Sequence, residues 1–261
     1  FWGDAGLVDS TARREFFAQC KKAGVVGLKL DFFTGETQDI TQWQEAALKD
    51  AAKLQLMLDF HGTYKPAGQE YTWPNEMTRE GIRGLEYGTD NTVWSTHNTI
   101  VPFTRFLAGH ADYTPFSLRS DVAKGTTLAH QVASVALFTS PLMVLGAFPD
   151  SLLKSPVKDI IKVIPTIWDE TIVLPPSEIG EIAVYARRSG KVWVVSVLNS
   201  ATAKNVTVNL SFLGAGSWHA SEMKESGVTN IVTVSKANYT SGSQVNLTLP
   251  AGGGYLARFD Q

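Results

Sequence analysis

The chain has one cysteine, Cys20, in 261 residues. It cannot form an internal disulfide, so no disulfide framework holds the fold. It reads as a small, buried, apolar-like residue on a helix. No apolar stretch approaches the roughly 20 residues that a membrane-spanning helix needs. Lys and Arg number 23 against 25 Asp and Glu, for a formal net charge of −2 with no basic tract. That balance argues against sequence-independent nucleic-acid binding. Neither GxGxxG nor a Walker motif follows any apolar segment, which lowers a nucleotide-binding reading. No second His or Cys stands at metal-ligand spacing from His61, so zinc is not expected. Phe1-Trp2-Gly3-Asp4-Ala5-Gly6 has no start methionine, no basic start and no apolar core. It reads as the interior of a larger protein rather than as a signal peptide.

What is present falls into two textures. Residues 1–174 alternate between helix-like and strand-like segments. Ser10 is the expected N-cap of a helix over Thr11–Ala23, and Thr41 of one over Gln42–Gln55. A third helix is expected over Leu128–Phe138, and Pro156 is placed to start a last one over Val157–Ile164. Apolar strands are expected at 25–33, 56–61 and Leu142–Leu145. This is the α/β pattern of a parallel sheet buried on both faces. Without a phosphate loop it favours a (β/α)8-type barrel over a doubly wound sheet. Pro175-Pro176 then punctuates the chain, and residues 175–261 read as an antiparallel β-sandwich. Its expected strands are Ile182–Arg187, Val192–Leu198, Asn205–Phe212, Val228–Val234, Gln244–Leu249 and Gly254–Phe259. Asn205-Val206-Thr207 and Asn246-Leu247-Thr248 match a glycosylation sequon, but polar–apolar alternation on half-exposed strands explains them as well and is preferred.

Three stretches carry candidate chemistry. In Lys29-Leu30-Asp31 the residues two apart share a strand face. Lys29 and Asp31 would then point inward at the C-terminal end of a strand, where barrel enzymes keep their active sites. A carboxylate there beside a cation suits attack on an anomeric carbon. A structural ion pair explains the spacing equally well. Asp59 and His61 likewise share a face at the end of the next strand. His61 suits a hydrogen bond to a sugar hydroxyl, and a satisfied structural histidine is the competing reading. The stretch from Trp73 to Tyr87 holds Glu76, Glu80 and Glu86, which are either solvated surface acids or a general acid with an oxygen ligand for calcium. Paired carboxylates on separate loops are the minimum for glycoside hydrolysis, about 5–5.5 Å apart on the retaining plan. Among the tryptophans, Trp73 is the expected sugar platform.

The pattern resembles glycoside hydrolase family 97. The matching pieces are Gly27-Leu28-Lys29-Leu30-Asp31-Phe32, Phe60-His61-Gly62 with Lys65-Pro66-Ala67-Gly68, Pro74-Asn75 with Glu80, and Gly84-Leu85-Glu86-Tyr87. They continue through Pro102-Phe103-Thr104-Arg105, Asp112-Tyr113-Thr114-Pro115 and Gly180-Glu181-Ile182-Ala183 with Ala186-Arg187-Arg188. The resemblance implies Asp31 as nucleophile, Glu86 as general acid/base and Glu80 as a calcium ligand, with calcium the expected cofactor. Inverting members are expected to carry a base glutamate at the place of Gly62 and to lack the strand-end aspartate. The chain therefore resembles the retaining branch, where α-galactosidase activity is known. Lys29 and His61 would orient sugar hydroxyls of an oligosaccharide or α-galactoside. A periplasmic or secreted location is implied. The family carries an N-terminal β-sandwich, a complete barrel and a C-terminal β domain, whereas this chain enters the barrel just before the nucleophile strand. The missing part is then expected in another segment or chain, or is replaced by self-association, or the barrel is remodelled. Two other readings follow: a non-catalytic carbohydrate-binding or assembly fragment, and an α-glucosidase or β-arabinopyranosidase on the same scaffold.

Overall fold

The structure is a computed structural model that describes residues 2–4, 9–33, 35–87, 91–118, 125–226 and 231–261. The chain divides into two compact units, one of residues 1–84, 108–113 and 139–144, the other of residues 85–107, 114–138 and 145–261.

In the first unit the elements run β1 (Trp2–Asp4), α1 (Ser10–Lys22), β2 (Gly27–Asp31), α2 (Gln38–Lys53), β3 (Met57–Phe60), α3 (Gln69–Thr72) and β4 (Glu76–Arg79). The strands form a four-stranded sheet in the order β1-β2-β3-β4, with every pair parallel. Parallel neighbours need a crossover, and α1 and α2 supply two of them. The caps differ from expectation by a residue in α1 and by four in α2. Asp9, not Ser10, caps α1 by accepting from the amides of Thr11 and Ala12. Thr37, not Thr41, caps α2 by accepting from Ile40, and the Thr41 hydroxyl donates to the Thr37 carbonyl instead. The sequence offers several short polar residues before each helix, and the path of the incoming loop decides which one caps.

The two-residue period of the strands sorts their side chains. Leu28, Leu30, Leu58 and Phe60 bury with Phe17 and Cys20 of α1 and Ala47, Leu48 and Ala51 of α2. Burial pushes the Cys20 thiol pKa up, in keeping with an inert core position. Lys29, Asp31 and Asp59 therefore belong to the opposite face of the sheet. On the helix side, the buried Arg79 guanidinium pairs with Glu76, donates to Gln44 at 2.7 Å and lies over the rings of Phe60 and Tyr64. Glu76 is thus a structural carboxylate. The expected strand Leu142–Leu145 does not form. The Val144 amide, which a strand would offer to a neighbour, donates to the Asp112 carboxylate at 3.0 Å.

In the second unit the elements are α4 (Trp94–Ile100), α5 (Leu128–Leu137), α6 (Pro149–Lys154), α7 (Lys158–Ile161), β5 (Glu170–Val173), β6 (Ile182–Ser189), β7 (Val192–Asn199), β8 (Lys204–Asn209), β9 (Trp218–Glu225), β10 (Val232–Tyr239), β11 (Gln244–Leu249) and β12 (Gly254–Asp260). The antiparallel order β10-β9-β12-β7-β6-β5 makes a six-stranded sheet, and β11 pairs with β8 in a two-stranded one. Val206, Val208, Val245, Leu247 and Leu249 of the small sheet share a core with Val184, Val195, Val197, Tyr255 and Phe259 of the large one. On the small sheet's solvent side Thr207 donates to Asn246 and Thr248 to Asn205, so the alternation expected at the two sequon matches is present. The strand expected at Val228–Val234 begins in residues outside the described ones, and β9 was not expected. The boundary expected at 174/175 also shifts. Leu128, Ala129, Val132 and Ala136 of α5 pack with Val194, Met223 and Leu256 of the large sheet, so α4 to α7, which precede residue 174, join the C-terminal unit. A sheet with an apolar outer face needs a helix to cover it, and α5 is apolar enough to do so. Among the described residues no helix is long and apolar enough to cross a membrane.

Candidate active site

Asp31 closes β2, and its carboxylate is 14% exposed. Oδ1 accepts the backbone N–H of Phe32 at 2.7 Å. That contact depends on an uncommon turn: Phe32 has φ +66°, in the left-handed region that bulky residues rarely occupy. Backbone of this kind persists where the surroundings hold it and is frequent at functional sites.

The C-terminal ends of β3 and β4 bring further groups to Asp31. His61 follows β3, and its amide donates to the Leu30 carbonyl at 2.8 Å. The ring is 4% exposed, with Nδ1 at 3.5 Å from Asp31 Oδ1 and 3.6 Å from Glu80 Oε2, and Nε2 at 3.7 Å from Asp112 Oδ2. Carboxylates thus flank the imidazole at both ring nitrogens. Glu80 follows β4, is buried, and accepts the Gly62 amide at 2.7 Å. Lys29 reaches across to Asp112, with Nζ–Oδ2 at 2.6 Å, and Asp112 is wholly buried.

Gly62 sits against this group with φ +63°. A Cβ there would lie 3.1 Å from the Phe32 amide nitrogen, 3.2 Å from Asp31 Oδ1 and 3.3 Å from the Phe33 amide nitrogen. A side chain at position 62 and the carboxylate of Asp31 thus compete for one space. That gives a physical reason for a strand-end aspartate to go with glycine at this position.

One expected residue, Trp73, stands apart from this group. It precedes β4 and lines a cleft with Ala52, Gln55, Leu56, Met57 and Asn75, at the N-terminal ends of β3 and β4. Asp31, His61 and Glu80 are at the C-terminal ends, so a strand's length separates Trp73 from them. It packs against the helix-side core instead. Glu86 lies on a 3-10 turn, Leu85–Tyr87, is exposed, and belongs to the second unit.

Sequence reasoning gave no role to Asp112 and left Asp59 without one. Asp59 shares its face with His61, a signal that was available. Asp112 joins Lys29 from 83 residues away, and no local period announces that. Burial and the neighbouring Asp112 carboxyl push the Asp59 pKa well above the usual carboxylate range, with Lys29 opposing.

Comparison with known proteins gives a consistent answer. Residues 2–82 match the family description "Glycoside hydrolase 97", and residues 167–260 match "Glycosyl-hydrolase 97 C-terminal, oligomerisation". A retaining alpha-galactosidase of Bacteroides thetaiotaomicron is 36% identical over 218 residues, 77% of this chain and 33% of that protein. A probable retaining alpha-galactosidase of Streptomyces bingchenggensis is 32% identical over 208 residues, 79% of this chain and 32% of that protein. The solved family 97 enzyme of Pseudoalteromonas sp. strain K8, in complex with acarbose, superposes with a TM-score of 0.87 at 26% identity, covering 99% of this chain and 46% of that one. The chain spans about a third of the length of the curated relatives it matches. With both segments of the family matched in order, the chain belongs to glycoside hydrolase family 97.

Proposed function

We propose that this chain carries the nucleophile-bearing part of a retaining α-glycoside hydrolase that acts on α-galactosides. The observation that supports it most is Asp31: a strand-end carboxylate, partly exposed, held by the Phe32 amide, with Gly62 leaving room for it. The retaining alpha-galactosidases among the relatives support the substrate class. On this reading the four parallel strands are a segment of a (β/α)8 barrel, and Asp31 lies at the end where such barrels work.

The reaction is a double displacement. Glu86 protonates the glycosidic oxygen as Asp31 attacks the anomeric carbon, and the aglycone leaves with that proton. Glu86 then takes a proton from water, whose oxygen attacks the same carbon and releases Asp31. Two inversions leave the configuration retained. Lys29, fixed by Asp112, and His61, flanked by carboxylates at both ring nitrogens, orient sugar hydroxyls. Glu80 fits the calcium role in its chemistry, since it is a buried carboxylate at a strand end and calcium takes oxygen ligands. Calcium there would add positive charge close to the carboxylates. Residues 167–260 support self-association through the C-terminal sheet. Export to the periplasm or the medium belongs to the same reading.

The test is Asp31→Gly with a nitrophenyl α-galactoside. Hydrolysis is abolished, and azide restores part of the turnover as a glycosyl azide of inverted configuration. Turnover like the wild type in that variant would remove Asp31 from the role.

A further inference from the structure

Three carboxyl groups meet on the sheet face that bears Asp31, and their hydrogen-bond donors are unequal. Asp31 accepts the Phe32 amide. Asp112 accepts the Lys29 ammonium at 2.6 Å and the Val144 amide at 3.0 Å. Asp59 is wholly buried, and among the described residues no N–H donor reaches either of its oxygens. It is paired in register with Lys29 on the next strand, so the two side chains stand side by side. The groups facing it are Lys29 and Asp31 from β2 and Asp112 from the 108–113 segment. His61 lies two residues on, Thr78 is the residue in register on β4 and carries no charge, and Glu80 contacts the His61 ring.

A buried carboxylate without a donor is strongly disfavoured, and like charges in contact cannot all ionise. One ammonium cannot neutralise three carboxylates. Of the three, Asp59 is the group with no donor to lose by taking a proton, and as an acid it gains a partner in Asp112.

We propose that Asp59 is a positioning residue that works as a neutral carboxylic acid: its O–H donates to Asp112, Asp112 fixes the Lys29 ammonium, and Asp31 stays a carboxylate beside that fixed cation. This rests on the reading of Asp31 as nucleophile for its purpose, but not for its protonation. A carboxylic acid kept neutral by its site so that it can donate a hydrogen bond is known in other active sites. The raised pKa of Asp59, caused first by burial and then by Asp112, points the same way.

Linkage gives a test that needs no turnover. Folded Asp59 keeps a proton that the unfolded chain releases above about pH 4. The unfolded state then binds fewer protons, so this group's contribution to stability is full below that pH and is lost as pH rises toward the folded pKa. Asp59→Asn keeps a neutral, hydrogen-bonding side chain and has no proton to release. In the full chain, thermal midpoints of wild type and Asp59→Asn converge near pH 4, and the variant becomes the more stable by several degrees as pH rises. The wild-type minus variant infrared spectrum at neutral pH shows the carbonyl band of a protonated carboxylic acid. A variant less stable at alkaline pH, or a difference spectrum with carboxylate bands only, overturns the assignment.

Activity supplies the second arm. Asp59→Asn keeps kcat/KM within about threefold, whereas Asp59→Ala and Asp112→Asn each lose more than about tenfold, mostly in KM as Lys29 loses its anchor. A loss above about a hundredfold in Asp59→Asn would assign Asp59 to proton transfer and overturn the positioning role. If Asp31→Gly keeps its turnover while the infrared and stability results hold, the nucleophile reading fails and the neutral Asp59 stands.

Discussion

Gly62→Ala tests whether the space at position 62 confines Asp31. Two effects are expected. The first is conformational: φ is +63°, and holding an L-residue in the left-handed region costs about 1–2 kcal/mol. The second is steric. The new Cβ would press on Asp31 Oδ1 at 3.2 Å and on the Phe32 and Phe33 amide nitrogens at 3.1 and 3.3 Å. Two of those three are backbone, and Phe32 already sits at φ +66°, so the carboxylate is the part that gives. Turning it away weakens the 2.7 Å bond from the Phe32 amide. A hydrogen bond to a charged group is worth about 1.5–3 kcal/mol, which corresponds to a fall in kcat/KM of about 10- to 150-fold if it holds the reactive geometry. Gly24→Ala is the matched control: its φ is +84°, and a Cβ there meets nothing within 4 Å. Both variants should lose similar stability in urea unfolding. Only Gly62→Ala should lose nitrophenyl α-galactoside hydrolysis. If its kcat/KM matches that of Gly24→Ala, position 62 does not confine the nucleophile and the steric argument is refuted.

Two further predictions concern stability. Glu76→Ala leaves the wholly buried Arg79 without its carboxylate and should destabilise the first unit by about 3–5 kcal/mol in urea unfolding. A loss below about 1 kcal/mol would mean that Gln44 and the flanking rings suffice for Arg79. In the second unit His130 is fully buried, with Asn98 and the Gly253 carbonyl at its ring nitrogens. Burial lowers its pKa to about 4, with the hydrogen bond to Gly253 opposing. Its neutral form therefore supports the fold above about pH 6.5, and up to about 3 kcal/mol is lost as pH falls through 6.5 toward 4 and the unfolded chain takes up the proton. His130→Gln should flatten that part of the pH–stability profile. Parallel profiles for the two proteins would count against a neutral buried His130.

By itself the sequence determined the two textures of the chain and most of its strands. Short apolar runs between helical segments marked a parallel sheet, and valine–threonine alternation marked the antiparallel strands. The period of two fixed faces correctly: Leu28 and Leu30 meet the helices, while Lys29 and Asp31 lie opposite. Periodicity says which face a side chain takes, but not what waits on that face. Asp112 meets Lys29 across 83 residues of chain, and the Val144 amide goes to Asp112 instead of extending a strand. Trp73 sits close in sequence to Glu80 but at the other end of β4, because a strand separates its two ends by its whole length. Helix α5 joined the C-terminal sheet because that sheet had an apolar face to cover. Glycine at 62 could be matched to a family pattern from the sequence. That it makes room for the carboxylate of Asp31 was decided by the left-handed turn at Phe32 and the approach of β3 to β2, which only the tertiary structure brings together.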